Sequence, residues 1–148
     1  MSGIDPDLPT DRPAYRSPWS IALVLVGGTM GTACREALSL AFPPIDGVPV
    51  TILLVNIAGA FLLGVLLAGL VTRGPDIGRR RALRLLAGTG FLGGFTTYSA
   101  LAADTVLLAD GGALGTASGY ALVTLLAGAV ATWTGVAAGM VRRAGGGR

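Results

Sequence analysis

Apolar residues fall into four long runs, and short connectors rich in Pro, Gly, Asp and Arg separate them. The first run extends from about Trp19 to Phe42 and stops at Pro43-Pro44, with Arg35 and Glu36 in its last turns. The second extends from about Val48 to Thr72 and meets Arg73-Gly74-Pro75. The third, from about Arg84 to Leu108, is interrupted by glycines, and the fourth, from about Ala113 to Val141, is closed by Arg142-Arg143. A helix crosses a bilayer with about 20 mainly apolar residues, so each run is long enough. The connectors, Pro44 to Gly47, Gly74 to Arg81 and Asp110-Gly111-Gly112, have turn composition. No alternation of apolar and polar positions argues for strands. The pattern predicts an all-α membrane protein with four transmembrane helices.

Small residues recur four apart within these runs: Gly27 and Gly31, Gly28 and Thr32, Ala60 and Gly64, Gly135 and Gly139. Such pairs let helix backbones approach closely in lipid, where no hydrophobic effect drives helices together. Several helix faces are therefore expected to be covered by protein. Four helices enclose little space, so a pathway through them calls for a second subunit.

Composition sharpens the picture. Only 13% of the 148 residues are charged, about half the 25% usual in soluble domains. The chain is basic, but its basic residues are all Arg and sit beside apolar runs, where they face lipid head groups rather than nucleic acid. The single cysteine, Cys34, excludes an internal disulfide and a cysteine metal cage. The absence of His removes the commonest general base and metal ligand, and no nucleophile–base pair marks an enzyme. Residues 1–17 carry three Asp and three Pro and lack the charge order of a signal peptide. They read as a disordered cytoplasmic tail, followed by a transmembrane domain over 18–143 and a short tail at 144–148.

Orientation follows from the arginines. With four spans, both tails and the central loop share one side, which holds Arg12, Arg16, Arg73, Arg79, Arg80, Arg81, Arg84, Arg142, Arg143 and Arg148. The other side has at most Arg35, with Glu36, Asp46 and Asp110. Positive charge stays in the cytoplasm, so both termini are expected there. Trp19 at the start of the first span fits an interfacial anchor.

Three features inside the spans carry candidate chemistry. Asn56 lies deep in the second span, on one face with Gly59 and Ala60. A buried amide needs partners; it either ties helices together or offers an N–H to an anion. The third span contains Gly88-Thr89-Gly90-Phe91-Leu92-Gly93-Gly94-Phe95-Thr96-Thr97-Tyr98-Ser99. Its GxGxxG spacing is not a dinucleotide site, which needs a strand before the glycines. Adjacent glycines followed by two threonines predict a helix break. Backbone freed at mid-membrane is tolerated only beside protein or a cavity, and such breaks often mark ion sites. The alternative is glycines that only allow close packing. Third, Asp104 is an acid near the end of the third span, and Tyr120, Thr124, Gly128 and Thr132 form one stripe on the fourth. The stripe lines a narrow path or bonds back to its own helix. Asp104 is either a pathway acid or a hydrated group at the outer interface.

These elements resemble the CrcB/Fluc family of small bacterial fluoride channels over nearly all of Trp19 to Arg143. Gly27-Gly28-Thr29-Met30-Gly31-Thr32-Ala33-Cys34-Arg35 is similar to the family's first-helix motif. Val55-Asn56-Ile57-Ala58-Gly59-Ala60-Phe61-Leu62-Leu63-Gly64 resembles the second-helix motif, and Gly90 to Ser99 the third. The resemblance implies an antiparallel dimer of four-helix subunits in the bacterial inner (plasma) membrane, passively exporting fluoride. It implies a structural sodium ion (Na+) at the subunit interface, held by backbone carbonyls of Gly93 and Thr96. It places fluoride beside Asn56 and along a track of Tyr120, Thr124 and the acid Asp104. Thr97 and Ser99 add hydroxyls at the break. The family's paired phenylalanines map to Tyr98, which keeps a ring, and Leu101, which has none.

An antiparallel homodimer requires each chain to insert both ways, which the strong Arg bias opposes. The expectation is a heterodimer, with a homologous channel subunit in the opposite orientation supplying the missing ring. The competing functions are a small proton-coupled exporter, which needs an acid deep in a span, and a membrane subunit with no pathway of its own.

Overall fold

The computed structural model describes residues 17–141. The expected tails lie outside the described residues apart from Ser17, as do Arg142 and Arg143. Helix α1 is Pro18–Ala41; its starting proline has the φ a first helical turn needs and no N–H to lose. It ends at Phe42, whose backbone leaves helical geometry (φ −126°) because a residue before proline is driven out of it. Asp46 and Gly47, both with positive φ, then make a tight turn closed by Ile45 N–H to Val48 O (3.0 Å) and Val48 N–H to Ile45 O (2.9 Å). Asp-Gly is favoured in such turns because both positions tolerate left-handed backbone. The Thr51 hydroxyl donates to Phe42 O at 2.7 Å, tying the start of α2 (Val50–Val71) to the end of α1.

The third span is built in pieces. Gly78–Leu83 is α-helical, Arg84–Leu92 is wound as a wide π-helix, and Gly93–Phe95 closes the run; together they form α3. Thr96 and Thr97 are extended (ψ 154° and 119°), and α4, Tyr98–Asp110, completes the span. The helix therefore begins at Gly78 rather than near Arg84, so Arg79, Arg80 and Arg81 sit on it and not in a loop. Helix α5 is Leu114–Val141. All four spans have the length and apolarity to cross a bilayer, and the protein is a multi-pass, four-helix membrane protein. Among the described residues no strand forms.

The helices pair as α1 with α3 and α2 with α5, with α4 against α5. Glycine makes both main seams. A Cβ on Gly27 would strike Leu86 O, and one on Gly31 would strike Phe91 O. Across the same seam Gly90 lies against Gly27 and Gly94 against Gly28. In the other pair, Gly64 faces the Thr132 carbonyl, Gly135 the Phe61 carbonyl and Gly139 the Val65 carbonyl. The expected small-residue faces are thus the helix–helix contacts. Large apolar side chains such as Leu25, Met30, Leu62, Leu126, Val130 and Trp133 point outward, the arrangement a lipid solvent requires. Gly128 differs from the seam glycines: a Cβ there meets nothing. Gly128→Ala is expected to leave thermal stability unchanged or slightly raised, since alanine favours a helix by about 1 kcal/mol over glycine.

Candidate functional site at the broken third helix

The break sits where one side chain replaces lost helical hydrogen bonds. Thr97 N–H donates to Asn56 Oδ1 at 2.8 Å, and Asn56 Nδ2 donates to Thr97 O at 3.1 Å. The amide thus grips both backbone groups of one residue across from α2, and it satisfies an N–H that lipid would leave bare. Three residues along α2, Gly59 leaves room for the Thr96 methyl. Thr97 also starts α4: its Oγ1 accepts Ala100 N–H at 3.1 Å, an N-cap of the preferred type. Gly93 and Gly94 remain helical. The break falls at the two threonines, and Gly90 and Gly94 serve the α1 seam. Both readings of the glycine-rich stretch therefore hold, each for different residues.

Extended backbone at Thr96 and Thr97 strands the preceding carbonyls. Thr96 N–H still reaches Leu92 O (3.0 Å), but among the described residues no donor crosses the break to the Gly93 or Thr96 carbonyl. Gly94 O is approached by Thr32 Oγ1 at 3.4 Å and by Arg35 Nε at 3.5 Å. Arg35, counted from sequence as an outer-side charge, points instead at the break, and its partner Glu36 lies 3.6 Å away. A guanidinium aimed at the centre of a broken span was not foreseen. The signal available was its place eight residues after Gly27, on the side of α1 that meets α3.

The remaining sequence-derived residues form two groups. Asn56, Gly93, Thr96, Thr97, Tyr98 and Ser99 gather at the break. There the Thr97 and Ser99 hydroxyls lie 3.1 Å apart, and Tyr98 is 75% exposed. Asp104, Tyr120 and Thr124 gather at the α4–α5 seam: Tyr120 OH donates to Asp104 Oδ2 at 3.4 Å, and Thr124 Oγ1 donates to Tyr120 O at 2.7 Å. Tyr120 and Thr124 are buried, whereas Thr132 is exposed and bonded to Gly128 O, so the stripe is polar and enclosed only in its first half. Asp104 also lines a cavity of about 250 Å³, together with Arg35, Glu36, Ser39 and Thr51. The Ser39 hydroxyl is buried beside it without a hydrogen-bond partner among the described residues. Leu101 is buried in the subunit.

The model described as "CrcB-like protein, Camphor Resistance (CrcB)" matches residues 22–136. This chain belongs to the CrcB family. It is 49% identical over 127 residues to the Fluoride-specific ion channel FluC 2 of Leifsonia xyli, covering 86% of this chain and 88% of that protein. It is 45% identical over 124 residues to the Fluoride-specific ion channel FluC 1 of Cutibacterium acnes (83% and 87% covered). Against the Fluoride-specific ion channel FluC of Gloeobacter violaceus it is 45% identical over 116 residues (76% and 90%). The CrcB match spans all four helices, including Asn56, the broken third span and the α4–α5 seam.

Proposed function

We propose that this chain is a subunit of a passive fluoride channel that exports cytoplasmic fluoride. The observation that carries the reading is the Asn56–Thr97 pairing at a broken mid-membrane helix, in a chain whose relatives are named fluoride channels. An amide nitrogen has two hydrogens. Asn56 spends one on Thr97, leaving the second for an anion. Fluoride is small and strongly hydrated, so a path must replace its water with close donors. Asn56, Thr97 and Ser99 supply N–H and O–H groups, and Tyr98 presents a ring whose edge is positive. Thr124 donates by turning its hydroxyl away from Tyr120 O. Arg35 adds positive charge beside the break. An inside-negative potential drives anion exit at about 2.3 kcal/mol per charge per 100 mV.

The Gly93 and Thr96 carbonyls fit a hard cation, because oxygen ligands without competing donors suit one. They are the residues that would hold a structural sodium ion, which when bound supplies a fixed positive charge. The exposed Tyr98, Ser99 and Gly93 leave polar groups uncovered at membrane depth, and a second, antiparallel subunit would cover them. The arginines of the α2–α3 connection and α3 fix this chain with both termini cytoplasmic, so its partner is a homologous subunit of opposite orientation. A proton-coupled exporter is less well supported, since the Glu36 side chain is 60% exposed.

Two measurements check this reading. In a Cys34→Ala background, cysteines placed at either terminus are expected to react only with reagents that reach the cytoplasm. Labelling from both sides contradicts the fixed orientation. In cells stripped of their own fluoride exporters, the chain with its partner is expected to restore growth in fluoride. Growth restored by neither the chain alone nor the pair contradicts export.

A further inference from the structure

We propose that the Arg-rich end of α2 and α3 holds the headgroup of an anionic phospholipid in a formed pocket, beyond the diffuse charge that sets topology. A cavity of about 320 Å³ lies there, lined by the apolar Leu67, Leu70 and Val71 and by Asp76, Arg80 and Arg84. The two arginines differ in what they have left to offer. Arg84 Nε and Nη2 both donate to Asp76 Oδ2, at 2.9 and 2.7 Å, and Arg84 holds the Asp76 carboxyl below its ordinary range. Its charge is offset. Arg80 gives one bond, Nη1 to Pro75 O at 3.1 Å, and makes no ion pair among the described residues. Arg80 lines the cavity with a charge that no carboxylate among the described residues offsets.

The loop is shaped around that guanidinium. Gly74 has φ +122°, and a Cβ on it would stand 2.7 Å from Arg80 Nη1. Glycine is needed there for the backbone, and the Arg80 guanidinium packs against it. Asp76 anchors the same loop through Arg84, and Arg81 Nε donates to its carbonyl at 2.9 Å. A planar, multiply donating cation suits a phosphate.

The choice of occupant rests on the apolar part of the lining. A soluble anion has no use for Leu67 and Val71, whereas a phosphodiester headgroup on Arg80 lets its acyl chains run along them. Val71, in the last turn of α2, is 78% exposed, so the cavity opens where a headgroup meets hydrocarbon. Five arginines against one aspartate between Arg73 and Arg84 place it in the leaflet richest in anionic lipid.

The test is native mass spectrometry of the purified assembly with phosphatidylglycerol, phosphatidylcholine or soluble glycerol phosphate. Phosphatidylglycerol is expected to bind at least tenfold better than phosphatidylcholine. Arg80→Gln is expected to lower its binding about fivefold, the weight of one basic side chain at an anionic surface. Arg79→Gln removes the same charge one residue away, outside the cavity, and is expected to change binding less than twofold. Val71→Gln, which removes the apolar lining without adding charge, is expected to reduce binding as Arg80→Gln does. Equal losses from Arg79→Gln and Arg80→Gln overturn the pocket in favour of diffuse attraction. Equal binding of both lipids, or glycerol phosphate competing as well as the lipid, overturns the lipid headgroup as occupant.

Discussion

Asn56→Ala is expected to stop fluoride flux and to destabilise the bundle by about 1–3 kcal/mol, the cost of leaving one enclosed backbone donor unpaired. The donor is the Thr97 N–H, which Asn56 satisfies from α2, whereas the Thr97 C=O, bonded to Asn56 as well, keeps its place as the N-cap carbonyl of α4. Loss of the side chain also removes the one N–H left for an anion. Asn56→Asp separates these effects. A carboxylate still accepts from Thr97 N–H but cannot donate to Thr97 O or to an anion, and its charge opposes anion entry. Stability between wild type and Asn56→Ala, with no flux, is therefore expected. Melting followed in detergent and fluoride efflux from vesicles are the two readouts. Normal flux from the folded fraction of either variant contradicts a pathway role for Asn56 and leaves it a structural tie.

The second large effect is expected at Gly31. A methyl group there meets backbone only: the Phe91 carbonyl, and Phe95 N at 2.8 Å. Backbone cannot rotate away as a side chain can, so α1 and α3 must separate just before the break. Overpacking of this kind costs about 1–3 kcal/mol. The displaced segment also carries Gly94 O, which faces Arg35. Gly31→Ala is expected to lower thermal stability by about that amount and to reduce flux at least tenfold, while Gly128→Ala, tested beside it, does neither. Equal behaviour of the two variants contradicts a glycine-dependent α1–α3 seam.

Much of the fold was legible because lipid imposes simple rules. Four apolar runs of sufficient length, closed by Pro, Gly and Arg, became four spans with ends displaced by a residue or two. The third span is the exception, because Arg79, Arg80 and Arg81 disguise its first turns. Small residues four apart marked the seams, although spacing alone did not say which helices they join. Asn56 and the Gly93–Ser99 segment could be singled out because buried amides and helix-weakening residues are rare at such depth. Their pairing is a tertiary contact between residues 41 apart in sequence, which no local pattern encodes. The same holds for Arg35, whose position near the end of a run suggested an outer surface while its side chain reaches inward. The placement of the break at Thr96-Thr97 reflects tertiary demand: Gly90 and Gly94 are held helical by close contact with α1, and the extended residues are those Asn56 and the Thr97 cap can satisfy.

The most direct test is fluoride efflux from liposomes, followed with an electrode, for the purified chain alone and for the chain with its homologous partner. Efflux is expected only from the pair, sensitive to Asn56→Asp and absent when chloride replaces fluoride. Efflux from this chain alone would contradict the obligate pairing with an oppositely oriented subunit. No fluoride efflux from a verified dimer would contradict the channel itself.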